Sequence, residues 1–233
     1  LEYYGNLSLL KAGLVGADVL TTVSEQYARE IQTEEYGMGM HGVFQDRAGD
    51  LFGIVNGVDY EVWNPEVDQH IEQNYSVDDR GGKKECKRAL QEEFELPVDE
   101  DVPLIGMIGR LVEQKGIDLV AEGMSDLARR NLQMVILGTG EDYYHDMLSR
   151  LAEKYPGQIG LHLGFDEAMA HRIEAGADMF LMPSRFEPCG LNQLYSMQYG
   201  TVPVVSATGG LVDTVTDYRE EAGTESEATG CAV

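Results

Sequence analysis

From residue 102 onward, short apolar runs alternate with amphipathic stretches. "VPLIGMIG", "LQMVILG", "IGLHLG", "MFLMP" and "VPVVSA" have strand length and are nearly continuous in apolar side chains. Between them, Ile117, Val120, Met124 and Leu127 share one helical face, and Tyr144, Met147, Leu148 and Leu151 share another. "DEAMAHRIEAGA" and the stretch from Gly190 read as further helices. Strands apolar on both faces need cover on both faces. The pattern therefore predicts an α/β fold, a parallel sheet of five strands with helices on either side. Ligands in such sheets bind beyond the carboxyl ends of the strands.

The upstream part is less regular. "ADVLTTVSEQYAREI" predicts a strand over 19–23 and a helix capped by Ser24. "GIVNGVDYEVWNP" reads as a strand ending in a turn and a proline-terminated linker. Residues 64–101 are polar and acidic, with one helix marked by Cys86, Ala89, Leu90 and Phe94.

Apolar residues make up 43% of the 233, enough for a buried core. Forty-one acidic residues against 17 basic ones give a net charge of −24, which disfavours nucleic acid and anionic membrane as partners. An anionic ligand would need a local nest of cations against that field. Only six of the basic residues are lysines, a composition that fits salt adaptation or an ordinary acidic surface. No apolar run approaches the ~18 residues of a membrane span, and no signal-peptide pattern is present. Cys86, Cys189 and Cys231 form no C-x-x-C pair, which argues against a disulfide framework or zinc knuckle and for a reducing compartment. The five histidines show no metal spacing.

Three loops at the expected carboxyl ends carry chemistry. "GRLVEQKG" offers Arg110 and Lys115, two cations able to hold a diphosphate. "GFDEAMAHR" offers Phe165, a ring able to stack a base. "SRFEPCGLNQL" offers Glu187, then Gly190, Leu191 and Asn192, whose backbone N–H groups open a helix toward an anion. Glu187 would repel phosphate, so it suits a neutral neighbour such as a sugar. Taken singly, Arg110 and Lys115 could be solvated, Phe165 could be core, and Glu187 could pair with Arg185. "LGTGED" lacks the third glycine of a dinucleotide fingerprint and carries two opposing carboxylates. "DED" at 99–101 lies before a strand in an acidic stretch and reads as solvated.

"LKAGLVGADVLTTVSEQYAREI", "GIVNGVDYEVWNP", "GRLVEQKGIDLV", "GADMFLMPSRFEPCGLNQLYSMQYGTVPVV" and "TGGLVDTV" closely resemble bacterial glycogen synthases and plant and algal starch synthases. The resemblance covers nearly the whole chain in order. It implies a retaining GT-B glycosyltransferase that moves glucose from ADP-glucose to the non-reducing end of an α-1,4-glucan. In that family Arg110 and Lys115 would bind the donor diphosphate, Phe165 would stack on adenine, and Asn56 would reach the glucose side. Glu187 would lie by the transferred glucose. Cys189, Gly190, Leu191 and Asn192 would complete the donor site, with Asn192 standing where threonine is frequent. No metal and no cofactor beyond the donor is expected, because two side-chain cations take the metal's place.

The same resemblance divides the chain into 1–55, the incomplete tail of a first Rossmann-like domain; 56–101, a linker with an acidic helical segment; and 102–233, a second Rossmann-like domain truncated at its end. The chain opens on Leu1, and the family's donor-closing loop is expected to lie upstream of it. The chain as it stands is therefore expected to be inactive alone. Localisation would be cytoplasmic in a bacterium and plastid in a plant or alga. The alternatives are a GT-B enzyme using UDP-sugars and a non-catalytic nucleotide- or glucan-binding fragment.

Overall fold

The structure, a computed structural model, describes residues 1–218 and 227–233. Its contacts form two compact units. One comprises Leu1–Gly57, Phe186–Gly190 and Ala207–Thr214; the other comprises Val58–Arg185, Leu191–Ser206 and Val215–Val233.

The first unit opens with a hairpin of β1 (Glu2–Tyr3) and β2 (Asn6–Leu7). Its two turn residues, Tyr4 and Gly5, have φ of 48° and 79°, the doubly left-handed turn that suits the right-handed twist of strands. Then come α1 (Leu9–Gly16), β3 (Leu20–Thr22), α2 (Glu25–Glu30), α3 (His41–Asp46) and β4 (Leu51–Gly53). Ser24 caps α2 as the spacing predicts, accepting the Tyr27 N–H at 2.8 Å. β4 pairs in parallel with β3 and ends at Gly53, so the "IVNG" that follows is not strand. Its partner is short because Ser24 leaves the sheet to cap α2.

The second unit contains α4 (Gly81–Glu93), β5 (Leu104–Leu111), α5 (Ile117–Leu127), β6 (Gln133–Gly140), α6 (Asp142–Lys154) and β7 (Ile159–Leu163). It continues through α7 (Glu167–Gly176), β8 (Met179–Met182), α8 (Asn192–Gln198) and β9 (Val202–Val205). After α9 (Gly209–Thr214), which belongs to the first unit, β10 (Cys231–Ala232) returns to the sheet. The sheet is parallel throughout, in the order β10-β9-β8-β5-β6-β7. Among the described residues it has six strands where five were expected. β10 is two residues long and shows no periodicity to read. The order reverses between β5 and β8, and such switch points are where open α/β sheets leave a crevice.

β5 shows why both faces are covered. Met107 packs with Ile117, Val120 and Leu148 on the α5 and α6 side. On the other side, a Cβ built on Gly106 would lie 2.7 Å from Ile173 of α7. Each fully buried apolar side chain here contributes ~1.5–3 kcal/mol. α4 is bonded into this unit: Lys87 Nζ reaches Asp178 at 2.7 Å and the Glu100 carbonyl at 2.8 Å. Of the segment 56–101 expected as linker and helix, residues 58–101 lie in the second unit by contact.

α8 begins at Asn192, not at Gly190, because Gly190 has φ 73° and Leu191 serves as N-cap. α9 joins the first unit through three bonds: Gln26 N–H to Asp213 (3.0 Å), Gly209 N–H to Glu30 (2.8 Å) and Gly210 N–H to the Glu187 carbonyl (3.0 Å). A Cβ on Gly209 would sit 1.9 Å from that carbonyl oxygen, so only glycine fits.

Candidate functional site

The carboxyl ends of β5 and β6, the loop after β7 and the start of α8 enclose a cavity of about 440 Å³, all within the second unit. Arg110, Phe165 and Asn192 line it together. They lie up to 82 residues apart in the chain, and the sheet topology brings them to one edge.

Each has a local reason for its position. Arg110 is the penultimate residue of β5 and donates from Nη2 to Gln114 at 3.1 Å. Lys115 closes the short helical turn after β5; its stem passes Gly109, where a built Cβ would meet it at 3.9 Å. Gly116 follows with φ 65°, and a Cβ there would come within 2.1 Å of the Pro183 carbonyl oxygen. Phe165 is 87% exposed at the cavity, so it is not a core residue. Asn192 Nδ2 donates to the Ile108 carbonyl at 3.3 Å, which ties α8 to the end of β5. Arg185 is held by Asp118 through two bonds of 2.7 and 2.6 Å, and that guanidinium holds the Asp118 carboxyl below its usual range.

Asn56, Glu187, Cys189 and Gly190 fall in the first unit. Glu187 is 6% exposed. The Asn56 backbone N–H points at the Cys189 sulfur, while burial pushes that thiol's pKa up. Leu191 lies with the cavity residues of the second unit as the N-cap of α8.

Among the cavity residues to which the sequence reading gave no site role are Trp63, Tyr195 and Glu174. Trp63 stacks on Tyr195 with centroids 3.9 Å apart and planes 5° from parallel, and its other face stacks on His171 at 3.8 Å. Trp63 and Tyr195 both line the cavity. The third is Glu174, fully buried on α7 and also part of the lining. Burial raises its pKa to about 8, against the lowering effects of Ser196 and Lys83. The available signal was a carboxylate inside the apolar run "RIEAGA". Behind His171, Asp68 accepts from Tyr199 and pairs with Nδ1 at 2.7 Å. Desolvation alone would raise Asp68, but the bonds from His171, Tyr199 and the His70 backbone bring its pKa down. Among the described residues, no group of three His, Cys, Asp or Glu side chains is placed to hold a metal.

A six-stranded parallel sheet flanked by helices, among the described residues, is the α/β architecture of the GT-B glycosyltransferases. Residues 90–227 match the family described as glycosyl transferases group 1, and residues 1–46 match the starch synthase catalytic domain. The chain belongs to the glycosyl transferases group 1 family. It is 56% identical over 218 residues to the glycogen synthase of Desulforudis audaxviator, covering 94% of this chain and 43% of that protein. It is 54% identical over 221 residues to glycogen synthase 1 of Geobacter sulfurreducens, covering 95% and 44%. The chain thus spans less than half the length of these curated relatives. Among solved structures, the catalytic domain of starch synthase IV from Arabidopsis thaliana, bound to ADP and acarbose, superposes with a TM-score of 0.89 at 34% identity, over 96% of this chain and 46% of that one. Sucrose-phosphate synthase from Thermosynechococcus elongatus shares the fold, with a TM-score of 0.64 at 21% identity over 96% and 47%.

Proposed function

We propose that this chain carries the donor-binding part of a glucosyltransferase that moves glucose from ADP-glucose to the non-reducing end of an α-1,4-glucan with retention. The observation that carries the reading is the shared cavity of Arg110, Phe165 and Asn192 at the sheet's carboxyl edge. It is supported by similarity to a starch synthase bound to ADP and acarbose.

In this reading the nucleobase stacks on Phe165, and Arg110 and Lys115 take the diphosphate. The acceptor 4-hydroxyl attacks the anomeric carbon on the face from which the diphosphate departs. The leaving phosphate takes the acceptor proton, and the two cations stabilise the charge that develops on it. Glu187 supports the oxocarbenium-like glucosyl group. Asn56, Cys189, Gly190 and Leu191 shape the donor site, and the cations do the work a metal does in other transferases.

The test is a donor competition with glycogen as acceptor, on the full-length protein that carries these residues. Incorporation from labelled ADP-glucose well above that from UDP-glucose, into α-linked product, is expected. Preference for UDP-glucose, or no transfer from either, overturns the reading.

A further inference from the structure

Among the described residues, Glu174 is the one fully buried carboxyl that lines the cavity. It shares a face of α7 with Glu167 and Ala170, which also line the cavity, as does the N-cap Asp166. One of its oxygens is satisfied: Ser196 Oγ donates to Oε2 at 2.7 Å. The other, Oε1, is buried and has no hydrogen-bond partner among the described residues. Lys83 does not fill that place, since its Nζ is bonded to the Ala175 carbonyl (3.0 Å) and to Thr201 Oγ1 (2.8 Å). Leaving a buried polar atom unanswered is costly, so its persistence beside a cavity points to a ligand.

We propose that Glu174 recognises the nucleotide from beneath: Oε1 donates a hydrogen bond to the base stacked on Phe165, directly or through one water. This rests on the reading of the cavity as a nucleotide site. The chemistry follows from the protonation state. Burial lifts the carboxyl's pKa to about 8, so at neutral pH it is an acid with one O–H. The Ser196 bond occupies Oε2 and leaves the proton to Oε1. Purine and pyrimidine edges both offer acceptors to such a donor. An ionised Glu174 would present only lone pairs to those acceptors and repel them.

Several charged or titratable groups face Glu174. Lys83 approaches from α4, with its own pKa lowered by burial to about 8. Tyr75 approaches from the segment before α4, Tyr195 from α8 and Tyr199 from its C-cap, each pushed upward by burial and by the Glu174 charge among other groups. Arg110, Asp166 and Glu167 line the same cavity.

The experiment titrates the chain with ADP at pH 7 and pH 9, by calorimetry and by the fluorescence of Trp63, its single tryptophan and a wall of the cavity. If only the protonated form binds well, affinity falls about tenfold between the two values. Glu174→Gln keeps a donor at every pH, so its affinity should stay within about threefold of the parent at pH 7 and show no fall at pH 9. Near-ultraviolet circular dichroism confirms that the variant is folded. Affinity that is flat with pH in the parent chain, or a fall that persists in Glu174→Gln, overturns the assignment of Glu174 alone. Absence of ADP binding at pH 7 overturns the nucleotide reading and this inference together.

Discussion

Ser196 donates its hydroxyl proton to Oε2 of Glu174 across 2.7 Å, and neither side chain meets solvent. A carboxyl in that setting stays protonated in the folded chain up to about pH 8, whereas the unfolded chain loses the proton near 4.5. Between those values the native state holds more protons. The contribution of Glu174 to stability is therefore fully present below pH 4.5 and is lost as pH rises through 8. The loss is on the order of 3–5 kcal/mol.

Urea unfolding at pH 6 and pH 8.5 should show the part of that loss that falls between pH 6 and 8, about 2–3 kcal/mol. In Glu174→Gln the difference between the two pH values should shrink, because glutamine does not titrate. An equal pH dependence in both chains would mean that Glu174 is ionised in the fold.

Tyr195 and Trp63 stack nearly parallel along the cavity wall. Tyr195→Leu keeps bulk but removes the ring pair, worth ~0.5–1.5 kcal/mol. ADP affinity should fall about two- to tenfold, with a change in Trp63 emission. Unchanged emission would show that the stack is not maintained in solution.

Asp68 accepts from Tyr199 and pairs with His171 in a buried network. Asp68→Ala leaves both partners without it and should cost ~1–3 kcal/mol or more of unfolding free energy. Denaturant titration checks this, and a loss under ~0.5 kcal/mol would mean that the network is replaceable by water.

Lys115 and Glu187 are assigned to different parts of the donor. In the full-length protein, Lys115→Ala should lower turnover by roughly 10- to 100-fold through lost stabilisation of the leaving diphosphate. Glu187→Gln should abolish most activity while ADP affinity stays within a few-fold. A matching drop in ADP affinity for Glu187→Gln would make that residue structural.

The sheet was legible because β5 to β9 are apolar runs with strong flanking signals, and Ser24 announced its helix by its position before "EQYARE". Arg110, Phe165 and Asn192 could be placed at one edge because parallel strands bring their carboxyl ends to the same side. β10 could not, since two residues carry no period. Trp63 was hidden because it lies in an irregular polar stretch, and its stacking on His171 and Tyr195 depends on neighbours over 100 residues away. Glu174 was hidden for a different reason: helical periodicity says which face is buried, not that a cavity opens beside it. The division of "SRFEPCGLNQL" between the two units follows from bonds to α9, which no local pattern encodes.

The central claim is that the cavity at the end of β5 takes the nucleotide of ADP-glucose. Titrating the chain with ADP and with UDP, alongside Arg110→Ala and Phe165→Ala, tests it most directly. The account predicts saturable ADP binding, weaker UDP binding, and a loss in each variant of about tenfold or more, as expected for a charge-assisted bond or a base–aromatic stack. ADP binding unchanged in both variants, or no ADP binding at all, would contradict it.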